Sequence, residues 1–359
     1  MADIPEVAQL FMELVRIDSE SGEEERFIEY LKELFQRELG AECVRDRYGN
    51  LIARVPGKGS QAEPLLLAAH ADTVKPGKGI EPVVDDEIIR SRQETVLGAD
   101  DKAGIAEIFA AVKGAERHPP LEIVITRSEE IGLLGAKNLD YSLISAQRGF
   151  VLDSDLLEAI IIGGPSHLSI DVEITGRAAH AGMEPEKGIS AIRTAALAIT
   201  KIPEGRIDGE TTANIGIIRG GEIRNGVPEK ATVQGECRSL NHEKAVHQAE
   251  LMKQAFEEAG RATGAHVDIK LDLEYKASQI PEDTPTVELA ERAIAAVGLA
   301  PEAKVITGGT DASVFNAHGI ETVVLGTGAV DEHSKDEHVA IADMERAVQI
   351  VQAVLALTA

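Results

Sequence analysis

The sequence predicts an α/β protein: a mainly parallel, mixed sheet with helices on both faces, plus a smaller inserted α+β domain with an antiparallel sheet and two helices. Three observations carry this. Apolar runs alternate with helical periodicity at both ends of the chain, the middle switches to strict apolar–polar alternation, and the apolar residues are almost all aliphatic. With 3% aromatic residues and no Trp, the core must be built from Ala, Leu, Ile and Val, which suits strands buried on both faces. A chain of 359 residues is also too long for one hydrophobic core.

The elements follow in order. Periodicity predicts helices over Glu6 to Val15 and Glu23 to Glu38, the second entered through the Ser19 to Gly22 turn with acidic residues in its first turn. A hairpin over Glu42 to Arg45 and Asn50 to Val55 comes next, turning at YGN. The buried-strand candidates are Leu65 to Ala69, Leu121 to Thr126 and Gly149 to Asp153, separated by helical patterns at Lys102 to Glu116 and Leu134 to Leu139. After Pro165, HLSIDVEITG, ATVQGECRSL and HVDIKLDLEY alternate as strands with one wet face, accompanied by helices at Gly188 to Ile202 and Asn241 to Thr263. From Thr284 the first style returns with a helix at Pro285 to Val297, the run TVVLG and a helix at Asp343 to Leu357. The expected division is a first domain over 1–167 completed by 278–359, with 168–277 inserted.

The formal charge of -25 disfavours nucleic acid, which needs basic side chains to displace counterions. Cys43 and Cys237 are the only cysteines and lie far apart, so neither a disulfide framework nor a thiolate zinc site is expected. The N-terminal stretch lacks the basic flank and apolar run of a signal peptide, and nothing reads as a membrane span; a cytoplasmic protein is the expectation.

In open α/β sheets ligands bind beyond the carboxyl ends of the strands. The polar residues there are His70 and Asp72, Asp100 and Asp101, Glu129 and Glu130, and Asp153 and Asp155, with His333 and His338 beyond the last strand. Taken singly, each reads as an N-cap, a solvated loop or an exposed histidine. Gathered at one edge, so many carboxylates would repel one another unless cations bound among them. Imidazole and carboxylate without thiolate suit Zn2+, Mn2+ or Co2+, and a shared carboxylate suggests two ions serving hydrolysis.

The motifs HAD, GADDKAG, SEEIG, VLDSD and HSKDE, in that order, resemble those of the M20 metallopeptidases, particularly the peptidase T-like branch. The resemblance spans nearly the whole chain and implies a zinc-exopeptidase-like fold, with the inserted domain a lid that pairs two copies into a homodimer. It implies that His70 and Asp153 hold one ion, Glu130 and His333 the other, and Asp100 bridges them. It implies Glu129 as the general base and Asp72 as the residue orienting His70 and touching only it. It implies a cis peptide between Asp100 and Asp101, and His180 stabilising the oxyanion in the partner's site. Asn214 and Arg238 would position the substrate carboxylate. GGTD, with Gly308, Gly309 and Thr310, resembles a substrate loop, although Thr307 stands where the tripeptidase pattern has arginine. The implied activity is hydrolysis of small peptides by an aminopeptidase or tripeptidase; an amidase or deacylase of N-acyl amino acids and a carboxypeptidase remain open on the same scaffold, and Glu129 argues against a metal-binding relative that has lost catalysis.

Overall fold

The computed structural model describes residues 4–359, so the first three residues of the N-terminal stretch read above lie outside them. The chain forms two compact units. One takes in the described residues up to Gly163 and adds Gln279–Val305 and Thr310–Ala359; the other is Gly164–Ser278 with Ile306–Gly309.

In the first unit the apolar runs form a mixed sheet. Its centre is four parallel strands in the order Leu121–Thr126, Leu65–His70, Arg148–Leu152, Glu321–Leu325. Leu51–Val55 and then Glu42–Arg45 add antiparallel strands at one side, and Ala159–Gly164 adds one at the other. All six residues of Leu65–His70 and of Leu121–Thr126 are buried, as both-face burial demands. The core around them is aliphatic with a few phenylalanines, among them Phe27, Phe35, Phe109 and Phe150.

The helix Ala99–Gly114 is apolar nearly all round and buried, but Asp100 and Asp101 have non-helical backbone angles, so regular helix begins at Lys102. Two ionisable residues are fully buried in it. Lys102 donates to the Ile17 carbonyl at 2.8 Å and lies 4.6 Å from the centre of the Phe27 ring. Glu107 is 0% exposed, and neither carboxyl oxygen has a hydrogen-bond partner among the described residues. Burial, with the charge of Asp343 adding to it, pushes the Glu107 carboxyl well above the usual carboxylate range. A raised folded-state value means its contribution is fully present below the unfolded pKa and is lost as pH rises towards the folded one. Glu107→Met is therefore expected to stabilise the protein by about 1–3 kcal/mol in mild acid. That advantage should grow by about 1.4 kcal/mol per pH unit above the unfolded value until the folded value is reached. Thermal unfolding of both proteins across pH checks this; a pH-independent difference would show that Glu107 is not held protonated.

The structure adds a small sheet that the sequence did not announce: Ala329–Val330, His338–Ala340, Ile88–Ser91 and Pro82–Asp85. Strands this short carry no readable alternation. Two of them bracket the segment containing His333.

The second unit is an antiparallel sheet in the order Gly205–Arg206, Thr211–Gly220, Lys230–Ser239, Ser166–Thr175, His266–Tyr275. Leu168, Ile170, Val172, Ile174, Val233 and Cys237 share a core with residues of the helices Ala191–Ile199 and His242–Thr263. Strand Thr211–Gly220 is less legible in sequence because its register shifts between Ile215 and Ile217, which breaks the alternation. Among the described residues no helix is long and apolar enough to cross a membrane.

Candidate metal centre

The parallel strands deliver acidic residues and histidine to one edge. His70 is the last residue of its strand and Asp153 follows Leu152 directly. Glu129 and Glu130 follow the strand ending at Thr126, and Asp100 and Asp101 stand in the non-helical entry to Ala99–Gly114. The Asp100–Asp101 peptide is cis, as expected.

Asp100 lies at the centre. Its Oδ1 is 2.9 Å from His70 Nε2, and its Oδ2 is 3.0 Å from His333 Nε2. His70 Nε2 is also 3.7 Å from Asp153 Oδ1, and His333 Nε2 is 2.8 Å from Glu130 Oε1. Thus the structure brings His70, Asp100, Glu130, Asp153 and His333 together, with one carboxylate between two imidazoles. Potential donor atoms of His70, Asp100 and Glu130 lie within 4.8 Å of one another, as do those of His70, Asp101 and Asp153.

Electrostatics reinforce the case for cations. Burial, joined by the charges of Asp153, Asp311 and Glu130, holds the Glu129 carboxyl well above the usual range, with His70 opposing. Burial likewise raises Asp153, whose neighbours include Asp100 and Glu332. Burial works against the charge of His70, but hydrogen bonds to Asp100 and Asp72 prevail and raise it. Hydrogen bonds to Asp100 and Glu130 push His333 up to about 11. So many buried carboxylates around two imidazoles form a hard oxygen and nitrogen donor set that suits divalent cations. Buried Asp101 adds a further argument: its Oδ1 has no partner among the described residues, and a Cβ at Gly104 would collide with that carboxylate and with the Leu152 carbonyl.

Asp72 departs from the expectation that it touches only His70. The nearest partner of His70 Nδ1 is the Asp72 backbone carbonyl at 2.9 Å, with carboxylate Oδ1 at 3.5 Å. The carboxylate accepts instead from the Glu129 N–H at 2.8 Å, the Glu130 N–H at 3.2 Å and the Ser21 hydroxyl at 2.7 Å. A completely buried carboxylate must satisfy several lone pairs, and these N–H groups are the donors within reach. Asp72 therefore contacts the imidazole and the Glu129–Glu130 loop together.

Two residues near this edge escaped sequence reasoning. Glu24, 0% exposed, accepts from the Ser128 N–H at 3.1 Å and hydroxyl at 2.8 Å, and from Arg127 Nη2 at 2.7 Å. It thereby supports Ser128, which has a positive φ of 56° directly before Glu129. Asp311 is 2% exposed and accepts from the Thr126 hydroxyl at 2.5 Å; burial pushes its carboxyl up to about 6. Its place in GGTD was the available signal. Asp155 is exposed, and His338 Nδ1 lies 2.9 Å from the Asp336 carbonyl. Neither belongs to the groups just described.

In the second unit Asn214 and Arg238 stand on adjacent strands, Asn214 opposite Glu236 and Arg238 opposite Thr212 and His167. They alternate with Ala213 and Cys237, which belong to the helix-backed core, so they lie on the other face of the sheet. Arg238 Nη2 is 3.1 Å from Glu236 Oε2, which is also 2.7 Å from His167 Nε2. His180 is exposed and bridges to Gly226, lining with Arg219 and Ile223 a cavity of about 740 Å³. Arg219 is five residues beyond Asn214 on the same strand, roughly 17 Å away at about 3.3 Å per residue. Within one chain His180 and Asn214 are therefore at different ends of the sheet. Gly308 and Gly309 belong to this unit, where a Cβ on Gly309 would collide with the Tyr275 hydroxyl; Thr310 is buried in the first unit at the start of Asp311–Ala317.

Residues 162–264 match the family model described as peptidase dimerisation domain, and residues 50–179 match that of peptidase family M28. Neither spans half the chain, but peptidase T is among the proteins that match along nearly the whole of it. The chain is 26% identical to peptidase T of Desulfitobacterium hafniense, covering 98% of each. The crystal structure of aminopeptidase PepT from Bacillus cereus superposes with a TM-score of 0.83 at 38% identity, covering 98% of each chain. A tripeptidase from Staphylococcus aureus gives 0.90 at 30% identity, covering 99% of this chain and 98% of the other. With the acidic strand-end cluster and a dimerisation domain on one chain, these full-length likenesses show that it belongs to the M20 peptidases, in the peptidase T-like branch, and is a metal-dependent hydrolase of peptide bonds.

Proposed function

We propose that this protein is a dinuclear aminopeptidase of small, unblocked peptides, tripeptides among them. The observation that carries the reading is the division of the Asp100 carboxylate between His70 and His333. His70 and Asp153 would hold one ion, Glu130 and His333 the other, and Asp100 both. Zn2+ fits the imidazole and carboxylate donors best, with Mn2+ or Co2+ as substitutes. The ions supply, when bound, a Lewis acid that acidifies water and polarises the scissile carbonyl.

The chain's own groups do the rest. Glu129, buried beside the cluster, takes the proton of the attacking water and delivers it to the leaving amine. Asp72 fixes both the His70 ring, through its carbonyl, and the Glu129 backbone, through its carboxylate. Arg238 offers a planar fork to the substrate carboxylate, with Asn214 beside it on the same face. The segment 168–277 pairs two copies, and His180 donates to the oxyanion in the partner's site. The two cysteines, both free, fit a reducing cytoplasm.

The test is digestion of unblocked tripeptides, their N-acetylated forms and N-acyl amino acids by protein reconstituted with Zn2+, Mn2+ or Co2+. Release of the free N-terminal residue from unblocked peptides alone is expected. Deacylation of N-acyl amino acids, or release from the C-terminus, would overturn the aminopeptidase assignment.

A further inference from the structure

Glu337 is 2% exposed, yet it is an acidic residue in a chain already carrying a large negative charge. Its carboxylate is fully engaged with the backbone of a segment more than two hundred positions earlier. Oε2 accepts from the Leu97 N–H at 2.7 Å and the Gly98 N–H at 2.8 Å, and Oε1 accepts from the Asp100 N–H at 3.0 Å. These groups lie in the turn that enters the helix Ala99–Gly114, where Gly98 has a φ of 72° and Asp100 a non-helical ψ of 104°. That turn forms few hydrogen bonds of its own, because the first N–H groups of a helix have no intrahelical acceptor. Glu337 supplies the acceptors from outside.

The same segment carries His333. Three residues separate His333 from Glu337, and the pair sits between the short strands Ala329–Val330 and His338–Ala340. One end of this segment thus meets the Asp100 carboxylate through the imidazole, while the other grips the Asp100 backbone. We propose that Glu337 is a positioning residue that locks these two loops together and sets where the Asp100 carboxylate stands between His70 and His333. It touches neither substrate nor ion; it acts through Asp100.

The inference rests on the reading of Asp100 as the shared ligand. Groups that hold a ligand in place contribute about 10- to 100-fold in metal affinity. Glu337→Ala removes both acceptor oxygens and with them all three hydrogen bonds. Glu337→Gln keeps an oxygen for Leu97 and Gly98 but turns an amide NH2 towards the Asp100 N–H, so it loses one contact with nearly unchanged volume. The measurement is Zn2+ affinity by competition with a chelator of known strength, together with circular dichroism and melting of the metal-free proteins.

The expected result is a fall in Zn2+ affinity of about 10-fold or more for Glu337→Gln and a larger fall for Glu337→Ala. Turnover of the Gln variant should recover as Zn2+ is raised, which a mere loss of fold would not permit. Should the Ala variant fail to fold, the Gln variant decides alone. Unchanged Zn2+ affinity in a folded Gln variant, with only a lower melting temperature, overturns the proposal. A wild-type protein that binds no Zn2+, Mn2+ or Co2+ would instead overturn the metal reading on which it rests.

Discussion

Glu129→Gln is expected to lower kcat by about 10²- to 10⁴-fold, the range for removing a general base. The wild-type metal content should be retained, because in the proposed arrangement Glu129 is the base and not a ligand. Glu129 is 8% exposed, and its backbone N–H is fixed by Asp72 Oδ1 at 2.8 Å, so the substituted amide keeps the position and loses only the basicity. The side chain sits among Asp153, Asp311 and Glu130, whose charges together with burial raise its affinity for a proton. That is the property a base needs in order to accept a proton and then release it to a leaving amine. KM for an unblocked tripeptide should change little, since binding is assigned to other groups. Steady-state kinetics beside metal analysis checks this; wild-type turnover in a folded, metal-loaded variant would remove Glu129 from the mechanism.

Asp100→Ala attacks the centre from the other side. It takes the shared carboxylate from both imidazoles, at 2.9 Å and 3.0 Å, in one substitution. Breaking a buried charged interaction costs about 3–5 kcal/mol, and a loss of that size in binding free energy would be about 10²- to 10⁴-fold in metal affinity. The expected outcome is loss of bound metal, from two ions per chain to one or none, with activity falling in step. Glu33→Ala is the matching control, because Glu33 is an exposed carboxylate on the helix Glu25–Leu39, and should leave metal content and turnover unchanged. Equilibrium dialysis against Zn2+ followed by elemental analysis measures both. Two ions retained at wild-type affinity in Asp100→Ala would show that this residue does not bridge.

Both experiments probe residues that stood out in the sequence, and the reason is local. His70, Asp153 and the Glu129–Glu130 pair each follow an apolar run within a few residues, so finding the strand found the residue. The carriers of the geometry were harder to see. Glu24 lies more than a hundred positions from Ser128, and Glu337 more than two hundred from the turn it holds. No period or spacing relates such partners; only a sheet that brings them side by side does.

The strands show the same division. Leu121 to Thr126 and His266 to Tyr275 could be bounded from pattern alone, because each presents an unbroken run or a clean alternation. Thr211–Gly220 has a bulge that breaks its alternation, and the strands near His333 are too short to have one.

What the sequence determined by itself was the class of fold, the strand-end residues and their order along the chain. These follow from hydrophobic period and residue chemistry, which are properties of neighbours. The tertiary structure alone decided that Asp100 divides between two histidines, and that Asp72 braces the Glu129 loop as well as His70. It alone decided that buried carboxylates far away in sequence fix these turns. The physical reason is that a buried carboxylate takes whatever donors the folded chain places within about 3 Å, and only the completed packing determines which donors those are.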